Sequence, residues 1–156
     1  MRCGFFIFAV INIWTLVAYG ETNPISGVYI SQGQATIRAS NSIKPLEKAT
    51  DCMVLQKVKN TYKIYVQSVQ HLGHACYVDG NFLWENNSGI ITSDDEKTGL
   101  KIILKNKEFS FLVSGVLLSQ CGPKADWANV RFPEKSLSGK PINSKRLGES
   151  CPIWNR

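Results

Sequence analysis

Thr61 to Val69 reads TYKIYVQSV. Tyr62, Ile64 and Val66 fall on one face of an extended chain, and Lys63, Tyr65 and Gln67 on the other. A period of two is the mark of a strand with one face buried, because successive side chains point to opposite sides of a pleated backbone. The pattern recurs. In LKIILK, Leu100 to Lys105, the residues Leu100, Ile102 and Leu104 oppose Lys101 and Lys105. In FSFLVS, Phe109 to Ser114, the side chains Phe109, Phe111 and Val113 are expected inward. Short strands at such spacing, joined by hairpin turns, predict an all-β fold. The expected architecture is an antiparallel up-and-down meander that closes into a small barrel or a two-sheet sandwich.

The remaining elements follow from turn chemistry. Ser26 to Ser31 reads as a strand, with Gln34 to Ser40 as its partner across Gln32-Gly33. Asn41 to Thr50 is a connector, in which Pro45 is placed to open one helical turn. Cys52 to Val58 precedes the Thr61 strand across a Lys59-Asn60 turn. Ala75 to Val78 ends at Asp79-Gly80, the strongest short hairpin signal in the chain, and Asn81 to Glu85 is expected to return from it. Asn86 to Gly89 turns into a strand at Ile90 to Ser93, and Asp94 to Gly99 is a polar loop. Gly115 to Ser119 is expected to continue the Phe109 strand past a glycine bulge. One more short strand is expected near Ala128 to Phe132, and an irregular tail from about residue 133.

The N-terminus, MRCGFFIFAVINIWTLVAYG, has the grammar of a secretory signal peptide: Arg2, an apolar run from Cys3 to Val17, then Ala18 and Gly20 in a cleavage pattern. The run is short for a span of about 20 residues. The expected organisation is a leader at 1–20 and a single β domain at 21–156, periplasmic or secreted, with no stable membrane insertion after processing. The formal charge of +6 becomes +5 without the leader. The lysines are scattered along strands, as on a solvated face, so a nucleic-acid partner is not expected.

Cys3 leaves with the leader, and Cys52, Cys76, Cys121 and Cys151 remain. An even set in an exported chain predicts two disulfides. The favoured pairing is Cys52–Cys76 with Cys121–Cys151, the second tying down the tail. If the strands of Cys52 and Cys76 flank a third, however, their Cα atoms lie about 9–10 Å apart, too far to bridge without local curvature.

Chemistry is concentrated in HLGHAC, His71 to Cys76, which holds both histidines of the chain. A spacing of three puts His71 and His74 on opposite faces of a strand, so the stretch reads as a turn leading into a disulfide-bonded strand rather than a metal site. No G-x-S-x-G or H-E-x-x-H occurs, and paired cysteines supply no nucleophile. No catalytic, cofactor or metal residues are assigned, and no enzymatic activity is expected.

Candidate partner contacts are Asp94, Asp95 and Glu96, the only acidic run, and two tryptophans, Trp127 and Trp154, expected to be partly exposed. Trp84 is expected as a buried anchor. Asn86-Asn87-Ser88 is a glycosylation sequon, relevant only in a source that glycosylates exported proteins.

The order of elements resembles that of small bacterial periplasmic β-proteins that include lysozyme inhibitors and immunity proteins against wall-degrading toxins. Gly27, Tyr29, Cys52, Cys76, Cys121, Gly122 and Ala125 carry the resemblance. It implies a protein that binds another protein, a cell-wall-directed hydrolase or toxin, and sterically covers its active site without a cofactor. The alternative is a small-molecule or lipid carrier that uses an open barrel interior.

Overall fold

The computed structural model describes residues 22–33, 36–39, 42–45, 50–70, 74–92, 99–114, 121, 126–141 and 146–152. Residues 1–20, the expected leader, lie outside this set, as does the expected strand continuation at 115–119. In chain order the strands are β1 (Gly27–Gln32), β2 (Thr36–Ala39), β3 (Ser42–Pro45), β4 (Thr50–Val58), β5 (Thr61–Val69), β6 (Ala75–Phe82), β7 (Ser88–Thr92), β8 (Gly99–Lys105), β9 (Glu108–Ser114), β10 (Arg131–Pro133) and β11 (Leu137–Gly139). A five-stranded sheet runs β11-β1-β4-β5-β6, and a four-stranded sheet runs β10-β9-β8-β7. The ladders are antiparallel and the two sheets are not closed into one, so of the two expected closures the sandwich is the one that forms.

Two-residue turns set the registers. Asn106 and Lys107 both adopt the left-handed conformation (φ 53° and 63°) between β8 and β9, and Asn86 and Asn87 do so (51° and 59°) before β7. Such turns match the right-handed twist of the strands they join, and asparagine tolerates positive φ. The Asp79-Gly80 signal is overridden. Both residues lie inside β6, opposite Tyr65 and Ile64. Gly80 serves close approach instead: a Cβ there would sit 2.7 Å from Ile91 Cγ2.

Four other expectations are corrected. The segment at 36–39 pairs with 42–45 in a separate ribbon, Thr36 opposite Pro45, while β1 pairs with β4, Val28 opposite Val54. Pro45, expected at the start of a helical turn, ends a strand instead. The tail is not wholly irregular, because Leu137–Gly139 adds a strand to the free edge of β1. Val113, at the end of β9, is 45% exposed rather than inward.

The disulfides join Cys52 to Cys151 and Cys76 to Cys121, not the favoured pairs. The reason is sheet order: β5 lies between β4 and β6, so Cys52 and Cys76 flank a third strand. They also point to opposite faces. Cys76 belongs to the core between the sheets, whereas Cys52 lies in a separate cluster with Val28, Val54, Leu147 and Cys151.

The space between the sheets is filled by large side chains. Trp127, Tyr29, Phe109, Phe111 and Phe132 are all almost fully buried. Tyr29 meets Phe109 edge-on with centroids 5.3 Å apart, so rings from the two sheets interlock. One end of the core is closed by the chain ahead of β1. The Trp84 indole N–H donates to the Thr22 carbonyl (3.0 Å), the Tyr62 hydroxyl to Pro24 (3.4 Å) and the Tyr29 hydroxyl to Ile25 (2.6 Å). Burial, with smaller contributions from Glu134 and Tyr62, pushes the Tyr29 hydroxyl up to about 12, so it stays protonated and donating.

Candidate functional site

The outer face of the four-stranded sheet carries apolar side chains that nothing among the described residues covers. Register places Ile90 of β7 opposite Lys101 of β8, and Lys101 opposite Leu112 of β9. Ile90 is 53% exposed and Leu112 57%. These two aliphatic side chains thus flank one lysine on a single cross-strand row. Leu83, 56% exposed, lies where β6 leaves the five-stranded sheet. Together Leu83, Glu85, Asn86, Ile90 and Lys101 line a surface concavity of about 660 Å³.

The local chain has to bend sharply to make this concavity. Glu85 and Ser88 exchange backbone hydrogen bonds (2.8 and 3.0 Å) around Asn86-Asn87. Thr22 braces the turn, its N–H and hydroxyl both donating to Asn87 Oδ1 (2.8 and 2.9 Å). Gly89 then passes directly over the Phe82 ring; a Cβ there would lie 2.1 Å from Phe82 Cδ2. Ile90 is thereby held at the lip of the concavity.

Polarity changes along the sheet. The next row holds Ser88, Ile103, Ser110 and Arg131. Arg131 Nε lies 3.7 Å from Glu108 Oε1, with both side chains more than two-fifths exposed. An exposed pair of this kind contributes at most about 1 kcal/mol. The face is therefore apolar around Ile90 and Leu112, and charged around Arg131, Glu108 and Lys105.

The contacts expected from sequence fare differently. Asp94, Asp95, Glu96 and Trp154 lie outside the described residues, as do His71, Gly122 and Ala125. Chain connectivity alone puts the acidic run between Thr92 and Gly99, which are paired two positions beyond Ile90–Lys101. Trp127 is 2% exposed, which corrects the expectation of partial exposure. Its Gly- and Pro-rich neighbourhood suggested a surface corner, but Gln70 draws the segment inward. Gln70 Nε2 donates to the Asp126 carbonyl (2.6 Å) and Asp126 N–H donates to Gln70 Oε1 (3.0 Å). Trp127 then packs against Phe111, centroids 5.5 Å apart. Trp84 is the buried anchor expected of it, beside Tyr62 and Phe82.

The HLGHAC stretch connects β5 to β6 in sequence, with residues 71–73 outside the described set. Gln70 N–H donates to the His74 carbonyl (2.7 Å), and Cys76 is disulfide-bonded to Cys121. Cys76 is therefore neither a nucleophile nor a thiolate ligand. Among the described residues no three of His, Cys, Asp and Glu converge as metal ligands would.

One buried polar group escaped the sequence reading. Asp51, on β4, is 5% exposed and accepts from Val69 N–H (3.3 Å). Burial pushes its carboxyl up to about 6, against the opposing hydrogen bonds from Ser68 and Val69. Ser68 in turn accepts from Gln70 Nε2 (3.2 Å). This group braces the end of the core from which Trp127 is held.

Ile90, Leu112 and Leu83 were also not singled out. The signal for Leu112 was present: it occupies the outward phase of FSFLVS, where a polar residue is the rule. Ile90 and Ile91 are adjacent, so alternation alone leaves open which one faces water. The chain matches no protein-family model, no curated protein and no solved structure.

Proposed function

We propose that this protein is an exported protein-binding domain that uses the outer face of its four-stranded sheet, acting as an inhibitor or immunity factor against a cell-wall-directed hydrolase or toxin. The observation that carries the reading is the open Ile90–Lys101–Leu112 row beside the Leu83 concavity. Exposed aliphatic side chains gathered on one face and rimmed by charge are the usual anatomy of a protein contact. The acidic run Asp94 to Glu96 falls in the connection between β7 and β8, and in this proposal it makes the second contact. The mechanism is steric: the sheet face anchors, and the loop enters the partner's cleft.

Export, to the periplasm or beyond the cell, agrees with the leader and with two disulfides, which persist in oxidising compartments. The carrier alternative gains no support from the interior, which side chains occupy.

The test is capture by purified, oxidised Glu21–Arg156 from envelope extracts, with the partner identified by mass spectrometry and its affinity measured. Ile90→Asp with Leu112→Asp is expected to weaken binding at least a hundredfold. Replacing Asp94, Asp95 and Glu96 with Ser is expected to weaken it at least tenfold. Unchanged affinity in the first variant sinks the face; unchanged affinity in the second sinks the loop.

A further inference from the structure

The four-stranded sheet is open at an edge as well as on its outer face. β7 ends the order β10-β9-β8-β7, so β8 is its only strand neighbour in that sheet. One hydrogen bond fixes which residues point away from β8. Leu104 N–H donates to the Asn87 carbonyl (2.9 Å), in register with the pairs Ser88–Ile103 and Gly89–Ile102. Along an antiparallel ladder, hydrogen-bonded pairs alternate with pairs that are not. Gly89 and Ile91 therefore aim their backbone N–H and C=O groups at β8. Ser88, Ile90 and Thr92 aim theirs at the free side.

Ser88 is already satisfied there, because it exchanges backbone hydrogen bonds with Glu85 (3.0 and 2.8 Å). On the far side of Glu85 the chain runs back to β6, in the other sheet, and the concavity lined by Leu83 and Ile90 opens where the two part. The backbone of Ile90 meets no hydrogen-bonding partner on that side among the described residues. An open strand edge is a template for another extended chain, and folded proteins blunt it with charge, proline, short length or a cover. The other three edges of the sandwich carry such devices. β10 and β11 are three residues long, and β10 contains Pro133. β6 has Asp79 along it and Cys121 bridged to Cys76. β7 reads Ser-Gly-Ile-Ile-Thr, with neither charge nor proline.

We infer that the partner adds a strand to this edge. An extended, proline-free segment of the partner protein pairs with the backbone of Ile90 and Thr92 and carries the sheet on. An apolar side chain of that segment faces Ile90, prolonging the row Ile90–Lys101–Leu112. This rests on the protein-binding reading above and states how the partner is held. The free N–H and C=O groups of an edge are complemented by another extended backbone, and proline would remove a donor. A second copy of this chain is the poorer fit. Pairing β7 with β7 of a second copy lays the two sheets side by side, so both outer faces stay open. It engages two open residues per copy, against about 20 a side in a stable interface. A partner seated on Ile90 and Leu112 draws on face and edge together, since Ile90 belongs to both.

The experiment is amide exchange, read by NMR on the mature chain, free and bound to the protein it captures from envelope extract, once that protein is identified and produced pure. In the free chain the Ile90 amide is expected to exchange at least a hundredfold faster than that of Ile91. Equal protection would mean that the edge is already covered, and would overturn the proposal. In the complex the Ile90 and Thr92 amides are expected to slow at least a hundredfold, and unslowed exchange of both would overturn it. Thr92→Pro removes an N–H that faces away from β8, so the fold is expected to hold while affinity falls at least fiftyfold. Wild-type affinity in Thr92→Pro, beside lost binding in Ile90→Asp with Leu112→Asp, would leave the partner on the face and strike out the added strand. If Thr92→Pro does not fold, amide exchange in the wild-type complex decides alone. Capture of nothing sinks the protein-binding reading, and the added strand with it.

Discussion

The outer face of the five-stranded sheet is sealed by the chain's own C-terminal segment, whereas that of the four-stranded sheet carries Ile90 and Leu112 in the open. The difference is already present in the strands. From Asp51 to Leu55, β4 is buried at every position, as expected for a strand covered on both sides. In β8, Leu100, Ile102 and Leu104 are buried while Lys101 and Ile103 between them are less so, as expected for a strand covered on one. A sheet covered twice contributes to stability with both faces. A sheet covered once contributes mainly with its inner face, and its outer aliphatic residues add little to folding.

The largest expected effect lies in what the two sheets share. Phe111, on β9, packs against Trp127 and, edge-on, against Phe132. Phe111→Ala removes a nearly fully buried ring from that junction. It should cost about 3–5 kcal/mol, read as a lower urea midpoint with unchanged slope. A cost below about 1 kcal/mol would mean that this ring junction contributes little to the core.

Phe111 was legible in the sequence, since alternation in FSFLVS sends it inward. So were the strand run from Cys52 to Val69 and the turn at Lys59-Asn60. Local pattern failed wherever a distant contact decided the outcome. Asp79-Gly80 is a hairpin signal by itself, but the full-length register of β6 against β5 absorbs it. The cysteine pairing depends on which strand lies between Cys52 and Cys76, and that is a property of the sheet. Trp127 is buried because Gln70, 57 residues earlier, holds the neighbouring Asp126 backbone. The candidate face was half legible: Leu112 is out of phase with its neighbours, while Ile90 acquires its direction only from pairing with Lys101.

A smaller effect, of opposite sign, is expected at the buried end of β4. Asp51 has a carboxyl near 6 in the folded chain against an ordinary 3.8. The folded state thus binds the proton more tightly than the unfolded state. The stabilisation this gives is complete below pH 3.8 and is lost as pH rises through about 6. At neutral pH the ionised, buried carboxylate is a burden of about 3 kcal/mol. Asp51→Asn keeps an acceptor for Val69 N–H and removes the charge. It should raise unfolding free energy at pH 7.5 by about 1–2 kcal/mol. It should also flatten the decline that wild type shows between pH 4 and pH 7. Denaturation at several pH values checks both, and parallel curves for the two proteins would show that Asp51 is not the group responsible.

The smallest expected effect on stability falls on the open face, and it sharpens the comparison most. Ile90→Ser and Leu112→Ser remove side chains that are more than half exposed in the folded protein. Little area is returned to water, so each should change unfolding free energy by no more than about 0.5 kcal/mol. If either costs 2 kcal/mol or more, that side chain is part of the scaffold, and the face is a solvated surface with an ordinary structural duty. If both are neutral for folding, serine would fold equally well at these positions. The two outer faces then differ in kind: one is apolar where the chain's own segment at Leu147 and Cys151 packs on it, and the other is apolar in the open.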